Sequence, residues 1–150
     1  MAVIEIKKAG DKVLKQIAVP VEKIDRKIKQ LLDDMAETMY AADGVGLAAP
    51  QVGVSLQLIV IDVGEGIIEL INPKIIVSEG CEVASEGCLS VPGIYGEVER
   101  YATVTVEALN RAGKKIQING SGLLARALQH EIDHLNGILF IELAKTMHKG

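Results

Sequence analysis

Ser121-Gly122-Leu123-Leu124-Ala125-Arg126-Ala127-Leu128-Gln129-His130-Glu131-Ile132-Asp133-His134-Leu135-Asn136-Gly137 is the stretch whose reading decides the fold. Leu124, Leu128, Ile132 and Leu135 recur at helical spacing and form one apolar stripe. Leu123, Ala127, His130 and His134 form a second stripe beside it. Arg126, Asp133 and Asn136 leave a narrow polar stripe. Ser121 is placed to cap the N-terminus and Gly137 to stop the C-terminus. A helix apolar over so much of its circumference is predicted to be mostly enclosed by other elements.

Two histidines on a mostly buried helix need an explanation, because buried polar groups are nearly always partnered. His130 and His134 are four apart within an HExxH segment. That spacing puts both rings on one face, roughly 5–6 Å apart at Cβ. Both can then reach one metal ion at about 2.0–2.1 Å. Glu131 stands next to the first histidine, placed to handle the protons of a water at that ion. A third ligand would leave a fourth position open, as a catalytic site requires.

Cys88, in Glu86-Gly87-Cys88-Leu89-Ser90, is a candidate third ligand, but Cys81 lies in a similar setting. Ser78-Glu79-Gly80-Cys81 is echoed by Ser85-Glu86-Gly87-Cys88. The spacing of seven is odd, so in a regular strand the two thiols point to opposite faces. At most one is expected at a shared site, and spacing alone does not choose between them. A disulfide between them is not expected in a reducing compartment.

Outward from the helix, strands follow one another rather than alternating with helices. Residues 25–42 carry Ile28, Leu31, Leu32, Met35 and Met39 at helical spacing, and the run stops at Asp43-Gly44. Residues 44–51 read as a tight loop of small residues. Residues 56–62, 67–71 and 75–78 read as three apolar strands, the last two separated by Asn72-Pro73-Lys74. Residues 101–109 alternate, and residues 110–113 turn them into a hairpin with residues 114–119. Residues 138–141 form a short apolar tail. The predicted class is α+β: antiparallel β-sheets packed around a buried C-terminal helix carrying HExxH, with an N-terminal helix.

The 150 residues suit one domain, residues 1–150, with a sizeable core. Hydrophobic residues make up 49% and charged residues 24%, with a net charge of −4. That balance gives no sign of nucleic-acid affinity. With no Trp and one Phe, the core must be aliphatic. No apolar run approaches the roughly 20 residues of a membrane span. The start, Met1-Ala2-Val3-Ile4-Glu5, resembles neither a signal peptide nor an Arg-rich transit peptide. A cytoplasmic setting is the resulting expectation.

Three segments together resemble the peptide deformylase family of the bacterial type. Gly-x-Gly-Leu-Ala-Ala-x-Gln occurs at residues 44–51, Glu-Gly-Cys-Leu-Ser at residues 86–90, and Gln-His-Glu-x-Asp-His-Leu-x-Gly at residues 129–137. They stand intact and in order, and the likeness spans nearly the whole chain. The resemblance settles the cysteine question, since Cys88 alone is followed by Leu-Ser. It implies a catalytic domain that removes the formyl group from N-formylmethionyl nascent peptides and releases formate. The ligands implied are Cys88, His130 and His134. They would hold one divalent ion: ferrous iron, Fe(2+), or Zn(2+), Ni(2+) or Co(2+) in its place. Action close to the ribosome is part of the same picture, with no membrane and no nucleic-acid site evident.

The residue chemistry agrees with that activity. Amide hydrolysis needs a nucleophile, a place for the developing oxyanion and a proton for the departing amine. Glu131 can take a proton from water and pass it to the amine. Gln51 offers an amide N–H to the formyl oxygen, and the family pattern adds the backbone N–H of Leu89. Gly46, like Gly44, leaves room for an extended peptide against the backbone. Val45, Leu123 and Ala127 are expected to form an apolar slot for a methionine side chain. Arg126 falls where some family members place an apolar residue on that slot, and its guanidinium is expected to snorkel to the rim. The chain ends soon after the third motif, so a longer C-terminal helix is expected to be absent or reduced.

Two other readings compete. A zinc peptidase would share HExxH, but a cysteine ligand upstream is unusual there. Its downstream ligand candidates, Glu142 and His148, lie in no recognisable motif. A metal- or redox-sensing module could use Cys88, yet binding alone requires neither Glu131 nor Gln51.

Overall fold

The structure is a computed structural model and describes residues 2–149. Helix α1, Arg26–Ala41, starts where the Asp25 side chain accepts a hydrogen bond from the Ile28 N–H at 3.1 Å. Its buried face carries Ile28, Leu32, Met35 and Met39. Each fully buried Leu or Met on that face contributes roughly 1.5–3 kcal/mol of transfer free energy.

That face lies on an antiparallel five-stranded sheet. The strands are β1 (Gly46–Ala48), β2 (Leu58–Ile61), β3 (Ile68–Glu79), β6 (Thr103–Leu109) and β7 (Lys115–Ser121), in the order β1-β2-β3-β6-β7. In β2, Leu58 and Val60 join the cluster under α1, whereas Ile59 and Ile61 join the cluster on the opposite face. Both faces of β2 are covered, which explains a continuous apolar run instead of alternation.

The opposite face carries helix α2, Gly122–Leu135. Ala125, Leu128, Ile132 and Leu135 pack there with Ile59, Leu70 and Val106. A second antiparallel sheet, formed by β4 (Glu82–Cys88), β5 (Val91–Arg100) and β8 (Thr146–Lys149), has the order β4-β5-β8. A small cluster of Val91, Val98 and Phe140, with Cys88 packed against it, joins that sheet to the ligand-bearing side of α2. The ring of Phe140 stacks on His130 with centroids 6.1 Å apart. No helix among the described residues is long and apolar enough to cross a membrane.

The fold class is the one the sequence predicts, with four local differences. Residues 44–51 are not a plain loop: Gly46–Ala48 pairs with β2, and Ala49–Val52 makes a 3-10 turn. Asn72-Pro73-Lys74 does not split β3, because the register shifts there and the strand continues. Asn72 has φ 54°, and its side chain binds the backbone N–H and carbonyl of Val21 at 2.7 and 3.0 Å. That bulge accommodates Pro73 within a strand. Strands β4, β5 and β8 have no counterpart in the sequence reading. Ser121 occupies the N-cap position of α2, but its side chain makes no capping bond.

Candidate metal centre

Helix α2 and the end of β4 bring the sequence-predicted ligands together. Nε2 of His130 lies 3.2 Å from Nε2 of His134, and the latter lies 3.3 Å from Sγ of Cys88. All three ligand atoms fall within 4.8 Å of one another. Cys81 is elsewhere, exposed in the turn between β3 and β4. Its place outside β4 removes the regular strand on which the opposite-face argument rested.

The donors suit a divalent cation. Nδ1 of His130 faces Oε1 of Glu86 at 2.9 Å, which leaves Nε2 with its lone pair toward the other two ligands. Burial opposes a charge on His130. The Cys88 sulfur and the Glu86 carboxylate outweigh it and push its pKa up to about 10. These negative groups favour positive charge beside the ring, and a cation held by Cys88, His130 and His134 would provide it. Burial drives the pKa of His134 well below its ordinary value, which favours the neutral ring that ligation requires. One thiolate and two imidazoles form a donor set suited to zinc, iron, nickel or cobalt.

Glu86 is the hub of a buried charge network. Arg100 donates to it from Nε and Nη2, each at 2.9 Å. Arg126 donates from Nη1 at 2.6 Å. Arg100 also pairs with Asp133, next to His134 on α2. Burial works against the Glu86 carboxylate, but hydrogen bonds from Arg100 and His130 hold its pKa down at about 2. Two residues of the polar stripe of α2, Arg126 and Asp133, thus face β4 and β5, whereas Asn136 is exposed.

Arg126 corrects an expectation. Its guanidinium does not rise to the rim but turns inward to Glu86 and to the carbonyls of Val98 and Glu82. A carboxylate and two backbone acceptors make the buried position cheaper than the wet one.

Glu131 is buried, and its Oε1 has no hydrogen-bond partner among the described residues. Burial pushes its pKa up to about 7, a value suited to a general base near neutrality. Gln51, on the 3-10 turn after β1, is also buried. Its Oε1 accepts the Ala48 N–H at 3.0 Å, which fixes the amide so that Nε2 faces the Ser90 hydroxyl at 3.1 Å and the Cys88 sulfur at 3.6 Å.

These groups open onto a cavity of about 520 Å³. Val45, Gly46, Leu89, Leu123 and Ala127 all line it. Val45 and Leu123 are exposed on its walls, whereas Ala127 is buried. Every site residue predicted from sequence is therefore at this cavity or, in the case of His134, in the ligand group beneath it. The roles of Glu86, Arg100 and Asp133 were missed. Glu86 carried a signal as the first residue of the second motif, and Asp133 as a polar residue one turn from His130. Arg100 carried none.

The chain matches the polypeptide deformylase family over residues 3–150. It is 61% identical over 142 residues to the peptide deformylase of Acetivibrio thermocellus, covering 95% of this chain and 84% of that protein. Identity to the peptide deformylase of Carboxydothermus hydrogenoformans is 62% over 147 residues, covering 98% and 97%. The crystal structure of peptide deformylase from Thermotoga maritima superposes with a TM-score of 0.95 at 45% identity, covering 97% of this chain and 100% of that one. The family, the close relatives and the shared fold agree: this chain belongs to the polypeptide deformylases, metal-dependent hydrolases that remove the N-formyl group from newly made proteins.

Proposed function

We propose that residues 1–150 form a single catalytic domain in which Cys88, His130 and His134 hold ferrous iron, with zinc, nickel or cobalt able to replace it. The observation that carries this reading is the convergence of one Sγ and two Nε2 atoms beside the buried carboxylate of Glu131. When bound, the ion is a Lewis acid that polarises the formyl carbonyl and makes water acidic enough to attack near neutral pH.

The protein's own residues supply the rest. Glu131 takes a proton from the attacking water and delivers it to the amine nitrogen as the C–N bond breaks, leaving formate and a free N-terminus. Nε2 of Gln51 and the backbone N–H of Leu89 donate to the formyl oxygen as it gains negative charge. The bond from the Ala48 N–H to Oε1 holds the Gln51 amide with Nε2 toward the site. Val45, Leu123 and Ala127 receive the methionine side chain, and the Gly46 backbone lines the cavity beside them, its missing side chain leaving room for the Glu131 carboxylate rather than for the peptide. The enzyme works in the cytoplasm on chains leaving the ribosome, where formylmethionine termini first become accessible.

The test is formate release from a formyl-Met peptide, run beside cleavage of an internal peptide bond in a blocked peptide. Formate release without internal cleavage is expected. Internal cleavage without formate release would instead support a zinc peptidase.

A further inference from the structure

We propose that Arg126 is a positioning residue for the metal centre: it locks the β4–β5 hairpin that carries Cys88 against the helix that carries His130 and His134. The inference rests on the ligand assignment above.

The ligands come from two separate bodies. Cys88 ends β4, where the register of the hairpin shifts between Glu86 and Cys88. The histidines belong to α2. Arg126 lies one helical turn before His130 and spans the gap. Its Nη1 donates to Oε2 of Glu86 at 2.6 Å and to the Val98 carbonyl at 2.9 Å. Its Nη2 donates to the Glu82 carbonyl at 3.0 Å. One planar group thus grips β4 at two points and β5 at a third. Contacts at Glu82 and Glu86, on the same strand, resist sliding of the hairpin along the helix as well as separation from it. Sliding would carry the Cys88 sulfur away from the two Nε2 atoms. The donors of Arg126 form a rigid fork, which a lysine cannot reproduce.

Charge alone predicts the opposite outcome. Glu86 and Asp133 are paired with Arg100 and Arg126. Removing Arg126 leaves an excess negative charge beside the ligands, and an excess negative charge attracts a cation. If Arg126 acted through charge, its loss would tighten metal binding. If it positions the hairpin, its loss loosens metal binding. The two roles differ in sign.

The test uses zinc-loaded full-length protein diluted into excess chelator, with the rate of zinc release measured for the unaltered chain, Arg126→Met, Arg126→Lys and Cys88→Ala. Arg126→Met keeps a similar apolar stem and should release zinc at least about tenfold faster, the scale seen when groups supporting metal ligands are lost. Arg126→Lys keeps the charge, loses the fork, and should fall between. The visible spectrum of the cobalt-loaded Arg126→Met protein should shift as the thiolate–cobalt geometry changes. If Arg126→Met proves unfolded, release from Arg126→Lys decides on its own. Release as slow as in the unaltered chain, or slower, overturns the proposal. Cys88→Ala separates the two levels of inference. Failure of Cys88→Ala to load or keep zinc, together with unchanged release from Arg126→Met, sinks the positioning role alone, whereas retention of zinc by Cys88→Ala sinks the ligand assignment and this proposal with it.

Discussion

Gly46 and Glu131 are so close that a Cβ on Gly46 would lie 2.7 Å from Oε2 of the carboxylate and 3.0 Å from its Cγ. Strand β1 therefore forms a wall against the group assigned to proton transfer. The backbone of Gly46 does not require glycine, so Gly46→Ala acts on the carboxylate through crowding. The expected result is a fall in kcat of about 10- to 100-fold, since displacements near 1 Å can cost that much. Metal content should stay at one ion per chain. Kinetics and metal analysis on the same sample check this, and an unchanged kcat would show that Glu131 tolerates displacement.

Replacing the carboxylate itself is a sharper test. Glu131→Gln keeps the shape and removes the proton acceptor. It should retain its metal and lose at least about 100-fold in rate, the usual scale of general acid–base help. Loss of the metal instead would make Glu131 a ligand or a structural support.

The two cysteines make a paired experiment. Cys88→Ala should abolish metal binding, because the sulfur is one of three converging donors. Cys81→Ala should leave metal and activity nearly unchanged, since that thiol is exposed in the turn between β3 and β4. Equal loss in both variants would refute the assignment.

These residues were legible in the sequence because short motifs fix them relative to one another. Helix α2 was legible for a different reason: its burial writes a 3.6-residue period into the chain. Strands β6 and β7 were legible from alternation and a turn. Strand β4 was not, because Glu82, Val83, Ala84 and Ser85 are all exposed and no two-residue period records its pairing. Strand β8 is exposed throughout and is held by backbone bonds to β5, which leave no mark on side-chain identity. The network around Glu86 was hidden for a tertiary reason. Arginine is seldom buried unless paired, and the partners of Arg126 lie 40 or more positions away along most of its contacts. Sequence proximity to an apolar pocket therefore suggested the rim, and the fold supplied an interior acceptor instead.

Metal replacement tests the choice of ion. A thiolate on ferrous iron exposes both metal and sulfur to oxidation. Air should inactivate the iron-loaded protein within an assay that leaves nickel- and zinc-loaded samples unchanged, with the zinc form less active than iron kept anaerobic. Activity and thiol titration over time provide the comparison. Equal air stability of the iron and nickel forms would count against iron as the vulnerable partner.

Substrate choice follows from the walls of the cavity. Val45, Leu123 and Ala127 present apolar surface, which suits the flexible thioether of methionine. The formyl group must fit beside Gln51 and the Leu89 backbone, where an acetyl methyl would crowd the donors. Formyl-Met peptides should therefore be preferred over acetyl-Met peptides. They should also be preferred over formyl-Asp peptides, because an unpaired carboxylate against this wall is costly to bury. Arg126 does not relieve that cost, since its guanidinium is already engaged with Glu86 and the carbonyls of Val98 and Glu82. Ala127→Leu adds three carbons to the wall of the slot and should lower kcat/KM for formyl-Met at least about tenfold, the lower end of what a single misplaced methylene in a pocket costs. Metal content should hardly change, because Ala127 lines the pocket and is not one of the three converging donors. Measuring kcat/KM for the three substrates with both proteins tests each step. If acetyl-Met or formyl-Asp peptides were hydrolysed as well as formyl-Met, the apolar slot would not be what selects the substrate.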